Sequence, residues 1–495
     1  MWFAAGSIHR NERLMTRYEA LIGLELHVQL ATRRKAFCTC AFDTSAPPNT
    51  CVCDVCAGRD GGRLRFNGEL VPLALAVALA LGCRIHDTSL FDRKHYACED
   101  LPKGYQITQH FQPIATHGWL AMDPRVVPAG GVAIRQLHIE EDAAKVTTDG
   151  HRPLIDYNRA GVGLIEIVTE PTLRGGEQVA HCFREIRKLV LATGASHASM
   201  QAGGLRCDVN VSVRTAGDAS LATRTEIKNL NSFRFAKRAV EYEIARQVAL
   251  LEAGHRVEAQ TLGWNDCEGR TYVTRAKTLD YAYCREPQLP ALALDRNTIE
   301  QVRQRLPMLP WDKQQHYETL GLSRQSAELL TTHPSVTALF DGLLEAGISA
   351  KTASSFVCND MIRDMEFDGL DVTMPLSVAQ AAALLEYVET GKASMTLLRR
   401  AYERFVRSLW TFEQARQRLE GAALVDETKL GDVIDAVLDE HAQQVAQYQR
   451  GKRGLEGYFV GQAVARVGGD VDAKHVVQLV RERLDARDGE ARRAK

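Results

Sequence analysis

Four segments of the chain alternate apolar with polar residues, and their polar residues are of kinds that hold metal ions and phosphates. Alternation places successive side chains of a strand on opposite faces. The residues that share the polar face are, segment by segment, Glu25, His27 and Gln29; His138, Glu140 and Asp142; Arg206, Asp208, Asn210, Ser212 and Arg214; and Arg224, Glu226 and Lys228. Carboxylates suit Mg²⁺, and arginine and lysine suit phosphate oxygens. The four rows together predict a site for phosphoryl transfer. Any one row alone could instead be the solvent-exposed face of a half-buried strand.

Known nucleotide-binding loops are missing from the sequence. Gly391-Lys392 is followed by Ala393 and lacks the upstream glycine of a phosphate-binding loop. Gly161-Val162-Gly163 lacks the third glycine of a dinucleotide loop, so it is interpreted as a turn. If ATP binds, we therefore expect it on the sheet itself, with metal ions neutralising its phosphates.

A cysteine cluster precedes the first predicted helix. The pairs Cys38-x-Cys40 and Cys53-x-x-Cys56 have the spacing of a tetrahedral zinc site, and Cys51 is left over. Four thiolates leave no open coordination position, so the predicted Zn²⁺ is structural. The alternative is a set of unrelated thiols in a loop. Twelve cysteines without a secretory signal favour a reducing compartment.

Composition describes a soluble globular chain of several domains. The chain has 495 residues, 45% of them hydrophobic and 25% charged, and its net charge is -1. That balance excludes a protein that coats polyanions, so any nucleic-acid contact must be local. The longest apolar run, 70–83, is shorter than the roughly 20 residues that cross a bilayer, and we predict a buried helix there and no membrane contact.

Strands and helices mix from about Arg17 to Leu294, and helical periods dominate from Asn297 onward. Predicted capping boxes are Asn297 with Glu300 and Thr411 with Gln414, and Pro307 and Pro310 separate two helices. The main boundary is therefore expected near Asp295. Residues 1–16 form an N-terminal extension, in which Met15 is an alternative start to Met1.

Seven ordered blocks resemble the B subunits of the glutamyl/aspartyl-tRNA amidotransferases, from about Tyr18 to the end of the chain. The blocks are IGLELHV at 22–28, FDRK at 91–94, DLPKGYQI at 100–107, IEED at 139–142, DYNRAG at 156–161, LRCDVNVS at 205–212 and TRTEIKNLNSF at 223–233. The resemblance implies an α+β protein. Its parts would be a glutamine-synthetase-like antiparallel cradle domain at 17–295 with the cysteine cluster inserted at 38–56, an all-α helical domain at 296–422, and a YqeY-like tail domain at 423–495.

The resemblance also implies an ATP-dependent carbon–nitrogen ligase that acts on misacylated Glu-tRNA(Gln), Asp-tRNA(Asn) or both. ATP would phosphorylate the side-chain carboxylate of the esterified amino acid, and ammonia would displace the phosphate. The ammonia would come from glutamine on an amidase-type A subunit, and a small C subunit would complete a heterotrimer. No Gly/Ser-rich amidase signature or cysteine glutaminase motif is found in this chain. The expected location is the cytoplasm, with an organellar matrix as the second possibility.

By similarity, the catalytic metal-site residues are Glu25, His27 and Glu140, with Glu141 and Asp208 as further Mg²⁺ ligands. The residues expected to hold ATP phosphates are Arg206, Arg224 and Lys228, and those expected to meet ATP or the tRNA 3′ end are Lys94, Lys103 and Arg159. His27 could instead be a satisfied strand histidine. A structural role is the alternative for the last three cations.

Some segments depart from the family pattern. The family usually has Tyr-Phe-Tyr-Pro where this chain has YACE at 96–99, and Tyr-Arg-Tyr-Phe-Pro-Glu-Pro where it has YAYCREP at 281–287. In the family, lysines normally follow Gly461-Gln462, but this chain has ARVGGD at 465–470. This replacement weakens the expected electrostatic attraction to tRNA phosphates. Two alternatives therefore stay open: a paralogue that amidates another carboxylate, and a non-catalytic scaffold or tRNA-binding subunit. The sequence leaves the choice of Glu-tRNA or Asp-tRNA and the ammonia channel undetermined.

Overall fold

The computed structural model describes residues 17–493, apart from gaps at 44, 97, 151, 219–221, 277–280, 421–426 and 468–472. The chain divides into two compact units. The first consists of Met1–Gln315, Thr331–Pro334 and Phe367–Val372, and the second of His316–Leu330, Ser335–Glu366 and Thr373–Lys495. The predicted domain limits stay predictions. The predicted extension at 1–16 lies outside the described residues.

The strands of the described residues are concentrated in the first unit. In chain order they are β1 (Tyr18–Gln29), β2 (Arg84–Ile85), β3 (Thr88–Ser89), β4 (Asp92–His95), β5 (Tyr105–Thr108), β6 (Ala115–Ala121), β7 (Gly131–Glu141), β8 (Lys145–Asp149), β9 (Arg152–Asp156), β10 (Gly163–Thr169), β11 (Leu205–Thr215), β12 (Thr225–Leu230), β13 (Gln260–Asn265), β14 (Arg270–Ala276), β15 (Ala282–Arg285), β16 (Leu292–Ala293), β17 (Glu366–Asp368) and β18 (Asp371–Thr373).

One large sheet organises this unit, with the strand order β14-β13-β12-β11-β1-β10-β7-β6-β2 among the described residues. Its neighbours pair antiparallel except β12 with β13, which are parallel. A smaller sheet, β15-β4-β5, has β5 in contact with β7. The predicted α+β class with a mainly antiparallel sheet is confirmed.

Three helices lie within the sheet region: α1 (Leu70–Ala80), α2 (Gly176–Ala192) and α3 (Phe233–Glu252). Helices α2 and α3 pack against each other, and α3 also contacts β11. The alternating residues Ile22, Leu24, Leu26 and Val28 of β1 are fully buried in the same apolar core as these helices. Because that core takes the apolar side of the strands, their polar residues are left to share the other face.

The buried helix predicted at 70–83 is confirmed as α1. Leu70, Ala74 and Leu75 are fully buried, and Pro72 lies in the first turn, where its missing N–H is not needed. Among the described residues, none of the helices has the length and apolar character to span a membrane.

The remainder of the described chain is mainly helical, as predicted. Its helices are α4 (Arg296–Gln304), α5 (Pro310–Thr319), α6 (Arg324–Leu330), α7 (Pro334–Glu345), α8 (Ala350–Phe356), α9 (Val378–Glu389), α10 (Met395–Val406), α11 (Phe412–Glu420), α12 (Glu427–Glu440), α13 (Ala442–Gln449), α14 (Glu456–Val467) and α15 (Ala473–Arg493), with a π-helical turn at Val357–Met361 and 3₁₀ turns at Ile362–Asp364 and Arg453–Leu455. Helices α12 to α15 enclose a core of their own, which includes Leu430, Ile434, Phe459 and Val480.

Of the two predicted capping boxes, one is confirmed and one is wrong. Thr411 and Gln414 exchange side-chain and backbone hydrogen bonds at the start of α11. The first helix after the sheet begins earlier than Asn297, because the carboxylate of Asp295 accepts the backbone N–H of Thr298 at 2.8 Å and its hydroxyl at 2.5 Å. Asp295 therefore supplies the N-cap, and Asn297 already lies inside the first turn.

Candidate active site

A cavity of about 440 Å³ lies on the polar face of the large sheet. All four predicted polar rows contribute to it. Its lining includes the predicted site residues Glu25, His27, Lys94, Glu140, Asp208, Arg224 and Lys228. The rows are therefore the walls of one site, and the alternative that they are solvent faces does not hold for these residues.

Strand register determines which polar residues meet. In the central strand β1, His27 pairs with Glu166 of β10 on one side and with Arg206 of β11 on the other. Glu166 in turn pairs with His138 of β7. Residues directly opposite each other in antiparallel strands point to the same face, so His27, Glu166 and His138 form one row across three strands.

His27, Glu140 and Glu166 form a cluster whose ligand atoms all lie within 4.8 Å of one another. Nε2 of His27 lies 3.5 Å from Oε1 of Glu140 and 3.8 Å from Oε2 of Glu166. Within the described part of the chain, Oε1 of Glu140 and Nδ1 of His27 are buried and have no hydrogen-bond partner. A buried carboxylate oxygen without a donor is costly, and a bound cation would remove that cost. The cluster therefore fits a divalent metal ion.

Like charges crowd this part of the cavity. Burial raises the pKa of Glu25, and the carboxylates of Glu166, Glu226 and Asp208 raise it further. Burial opposes the charge on His138, but Glu166 and Glu140 outweigh it and raise the pKa of His138 to about 10. Histidine and carboxylates thus share a site in which negative groups are in excess, and a cation would balance them.

Cationic side chains also line the cavity. Nζ of Lys228 lies 3.2 Å from Oδ2 of Asp208 and 3.1 Å from Oε1 of Glu226, and although burial works against its charge, these carboxylates raise its pKa. Burial likewise opposes the charge on Lys94, whereas Glu140 and Glu166 raise its pKa. Both ammonium groups are therefore charged at neutral pH. Together with the neighbouring Arg224 they are available to anionic groups such as phosphate.

Two other predicted cations are held in a buried network beside the cavity. Nη2 of Arg206 lies 2.7 Å from Oδ1 of Asp142, a residue that is 2% exposed. Nε of Arg159 donates to the carbonyl oxygen of Ala143 at 3.0 Å, and its side chain also lies near Asp142. Burial would raise the pKa of Asp142, but the two guanidinium groups hold it below its usual range. The network positions the ends of β7 and β11.

Lys103 and Glu141 pair with each other. Glu141 follows Glu140 in β7. Because successive side chains of a strand point to opposite faces, the Glu141 side chain points away from the cluster of His27, Glu140 and Glu166. It bonds to the ammonium group of Lys103 and accepts the backbone N–H of Ile107 at 2.9 Å. Neither residue lines the cavity within the described structure.

Glu166 is the functional candidate that sequence reasoning missed. It is the one acidic residue in the apolar segment 163–169, which becomes β10. The sequence signal for it is a charged residue between Ile165 and Ile167, next to the segment 161–163 that is predicted to form a turn. That turn is confirmed by Gly161, whose φ is +84°.

Aromatic rings also line the cavity: His110, Tyr281 and Tyr283 are among its lining residues. His110 stacks on Tyr283 with ring centroids 3.8 Å apart and planes 11° apart, and Tyr96 meets Tyr281 edge-on at 5.3 Å. Nζ of Lys94 lies 4.6 Å from the Tyr281 ring centre. The substitutions at 282, 284 and 285 therefore leave Tyr281 and Tyr283 in the cavity lining, and residue 97 lies outside the described part of the chain.

The four predicted zinc ligands come together. The Sγ atoms of Cys38, Cys40, Cys53 and Cys56 all lie within 4.8 Å of one another, whereas Cys51 is outside the group. The hydrogen bond from Cys38, assisted by the nearby Lys35, lowers the pKa of the Cys56 thiol to about 4. A thiolate within a group of four sulfurs is suited to a metal ion.

Comparison with known proteins identifies the family of this chain. Residues 20–300 match the family described as the GatB/GatE catalytic domain, and residues 338–484 match the GatB domain. The B subunit of the aspartyl/glutamyl-tRNA(Asn/Gln) amidotransferase of Nostoc punctiforme is 38% identical over 488 residues, which cover 95% of this chain and 98% of that protein. The corresponding protein of Moorella thermoacetica is 38% identical over 482 residues, 94% of this chain and all of that protein. The B subunit of the chloroplastic/mitochondrial glutamyl-tRNA(Gln) amidotransferase of Ricinus communis is 35% identical over 487 residues, 96% of this chain and 89% of that protein.

Proposed function

The chain belongs to the family of aspartyl/glutamyl-tRNA amidotransferase B subunits, and from that membership and the cavity we propose that it is the ATP-dependent transamidating subunit of such an enzyme. The observation that carries the proposal is the buried group of His27, Glu140 and Glu166 beside Lys94, Lys228 and Arg224 in one cavity. A scaffold subunit has no need of such a costly arrangement of charges.

The proposed acceptor is the side-chain carboxylate of Glu or Asp esterified to tRNA. A carboxylate is a poor electrophile, so it first takes the γ-phosphoryl group of ATP on one oxygen, and ADP leaves. Ammonia then attacks the carbonyl carbon of the acyl phosphate, the C–O bond to phosphate breaks, and loss of a proton leaves the amide.

The cavity residues divide between the two charged partners of this reaction. A divalent cation held by His27, Glu140 and Glu166, for which we propose Mg²⁺ with Glu25 and Asp208 nearby, would neutralise phosphate oxygens. Lys228 and Arg224 hold phosphate oxygens, and Lys94 is placed to bind the acceptor carboxylate or the transferred phosphoryl group. Arg206 and Arg159 act through Asp142 by fixing the strands that carry these groups.

The relatives' names describe them as B subunits, which fits a complex of several chains. We propose that an amidase-type A subunit supplies ammonia and that a small C subunit completes the heterotrimer. We also propose that the four-cysteine group binds structural Zn²⁺. The paralogue that amidates another carboxylate remains the second candidate, because the changes at 282, 284 and 285 flank Tyr281 and Tyr283, which line the cavity.

ATP hydrolysis dependent on misacylated tRNA tests the proposal. The wild-type chain, assembled with its A and C subunits, should release phosphate with Glu-tRNA(Gln) or Asp-tRNA(Asn) and should form the corresponding amide. Turnover with a small free acid instead of the tRNA would favour the paralogue. No ATP turnover with any acceptor would refute the enzymatic role.

A further inference from the structure

Phe111 is an apolar ring held in solvent beside the active-site cavity. It is 65% exposed, the highest fraction among the large apolar side chains that the structure describes. Its ring lies 4.9 Å from that of His110 and 6.4 Å from that of Tyr283, and both of those residues line the cavity. Phe111 is thus a solvent-exposed continuation of the aromatic group that lines the cavity.

The buried carboxylate of Asp92 holds the loop in the conformation that exposes Phe111. Oδ2 of Asp92, a residue only 1% exposed, accepts the backbone N–H groups of His110 at 2.8 Å and of Phe111 at 3.0 Å. Turning the loop to bury Phe111 would break both of these hydrogen bonds to the buried carboxyl group of Asp92. Burying a phenylalanine side chain gains only about as much as one of these bonds. The loop therefore keeps the ring available to a ligand.

Neutral, flat rings make up this platform. Burial lowers the pKa of His110, so its imidazole is uncharged at neutral pH, and it already stacks face to face on Tyr283. Stacked and edge-on neutral rings are the surfaces on which nucleobases lie. The ligand is therefore expected to present a base.

A second cleft offers a place for the base of ATP. It has a volume of about 340 Å³, shares Lys228 with the main cavity, and includes Phe235, Trp264 and Tyr272 in its lining. It therefore adjoins the cationic groups that we assign to the phosphates of ATP. The platform of His110, Phe111 and Tyr283 is left for the other substrate.

We propose that Phe111, together with the His110–Tyr283 pair, stacks the terminal adenine of the acceptor tRNA. This inference rests on the proposed function, because the 3′-terminal ribose of tRNA carries the esterified amino acid whose side chain must reach the metal cluster. Stacking the adjoining base holds the ester at the cavity mouth and directs the carboxylate inward.

The test compares Phe111→Ala and Phe111→Trp with Leu154→Ala, a control on an apolar residue that is 53% exposed in the β8–β9 hairpin. Each variant is assembled with the A and C subunits, and KM is measured for misacylated tRNA and for ATP. We expect Phe111→Ala to raise KM for the tRNA about tenfold, as for loss of one base-stacking contact, and to leave KM for ATP unchanged. Phe111→Trp and Leu154→Ala should stay near wild type.

A direct readout uses acceptor tRNA with 2-aminopurine in place of the terminal adenine. Its fluorescence should be quenched on binding to wild type and to Phe111→Trp, and not to Phe111→Ala. Unchanged quenching and KM in Phe111→Ala, with wild type active, would overturn this inference alone. A rise in KM for ATP instead would assign the platform to ATP and also overturn it. A wild-type complex without tRNA-dependent turnover would count against the proposed function itself.

Discussion

At the residue scale, Glu166 completes the proposed metal site with His27 and Glu140, although its strand, β10, is otherwise mainly apolar. It contacts His27 at 3.8 Å and His138 at 3.2 Å. Burial would raise the pKa of Glu166, but His138 and His27 hold it below its usual range. An ionised carboxylate at the centre of the row is the form that binds a cation.

Replacing Glu166 with Gln should therefore weaken metal binding. We expect kcat to fall by at least about a hundredfold at ordinary Mg²⁺, with partial recovery at higher Mg²⁺, because one anionic ligand is lost while the side-chain shape is kept. Steady-state ATP hydrolysis over a Mg²⁺ titration measures this. Glu268→Gln, on the exposed turn between β13 and β14, is the matched control; equal activity of both variants would contradict a role for Glu166 in the cluster.

Cys53 and Cys51 give a paired test of the thiol group. Cys53→Ser should remove about one equivalent of zinc and lower the Tm, because three thiolates remain where four are needed. Cys51→Ser should keep both, since Cys51 lies outside the group. Metal analysis and thermal melts measure the two effects. Zinc-free wild type, purified without chelator, would argue against the site.

At the element scale, β1 holds the site because it lies between β10 and β11 in the large sheet. Its one polar face meets Glu166 on one side and Asp208 and Arg206 on the other. The ion pair between Arg206 of β11 and Asp142, which directly follows β7, connects the ends of these two strands. The side-chain amide of Gln29 in β1 also donates to Asp142, at 3.1 Å. A buried charge network thus fixes the separation of the strands that carry the ligands.

Arg206→Met should destabilise the first unit by about 3 kcal/mol, because it leaves the buried carboxylate of Asp142 without its main partner. The double variant Arg206→Met/Asp142→Leu should recover part of that loss, since no uncompensated carboxylate remains. Denaturant unfolding of the chain measures both. The exposed pair Arg270–Glu268 is the comparison, and Arg270→Met should change stability by less than about 1 kcal/mol. A similar small effect for Arg206→Met would mean that water already solvates Asp142.

At the scale of the whole molecule, the candidate site lies within the first of the two units. The first unit contains the cavity, the cysteine group and the aromatic platform. The second contains helices α12 to α15, whose core residues include Leu438, Tyr448 and Leu484. Separate cores allow a catalytic sheet and a helical region to be stable independently.

A fragment of residues 423–495 should therefore fold alone. We expect a helical circular-dichroism spectrum and a cooperative thermal transition with a modest Tm, because a core of this size is only marginally stable. Phe459→Ala, which empties the centre of that core, should abolish the transition, whereas Tyr458→Ala at a more exposed position should not. A non-cooperative melt of the unaltered fragment would show that this core needs the rest of the chain.

The amino-acid sequence is enough to predict the polar rows, the thiol pairs and the change from strands to helices, because alternation with period two, paired Cys spacing and helical periods are local. It placed Glu25, His27, Glu140, Asp208, Arg224 and Lys228 on faces that do meet. By contrast, the grouping of Glu166 with His27 and Glu140, and the buried pairs formed by Arg206, Lys103 and Glu141, depend on the folded chain. The physical reason is strand register: which residues face each other across β7, β10, β1 and β11 depends on how distant segments bury a common core, and no single segment contains that information.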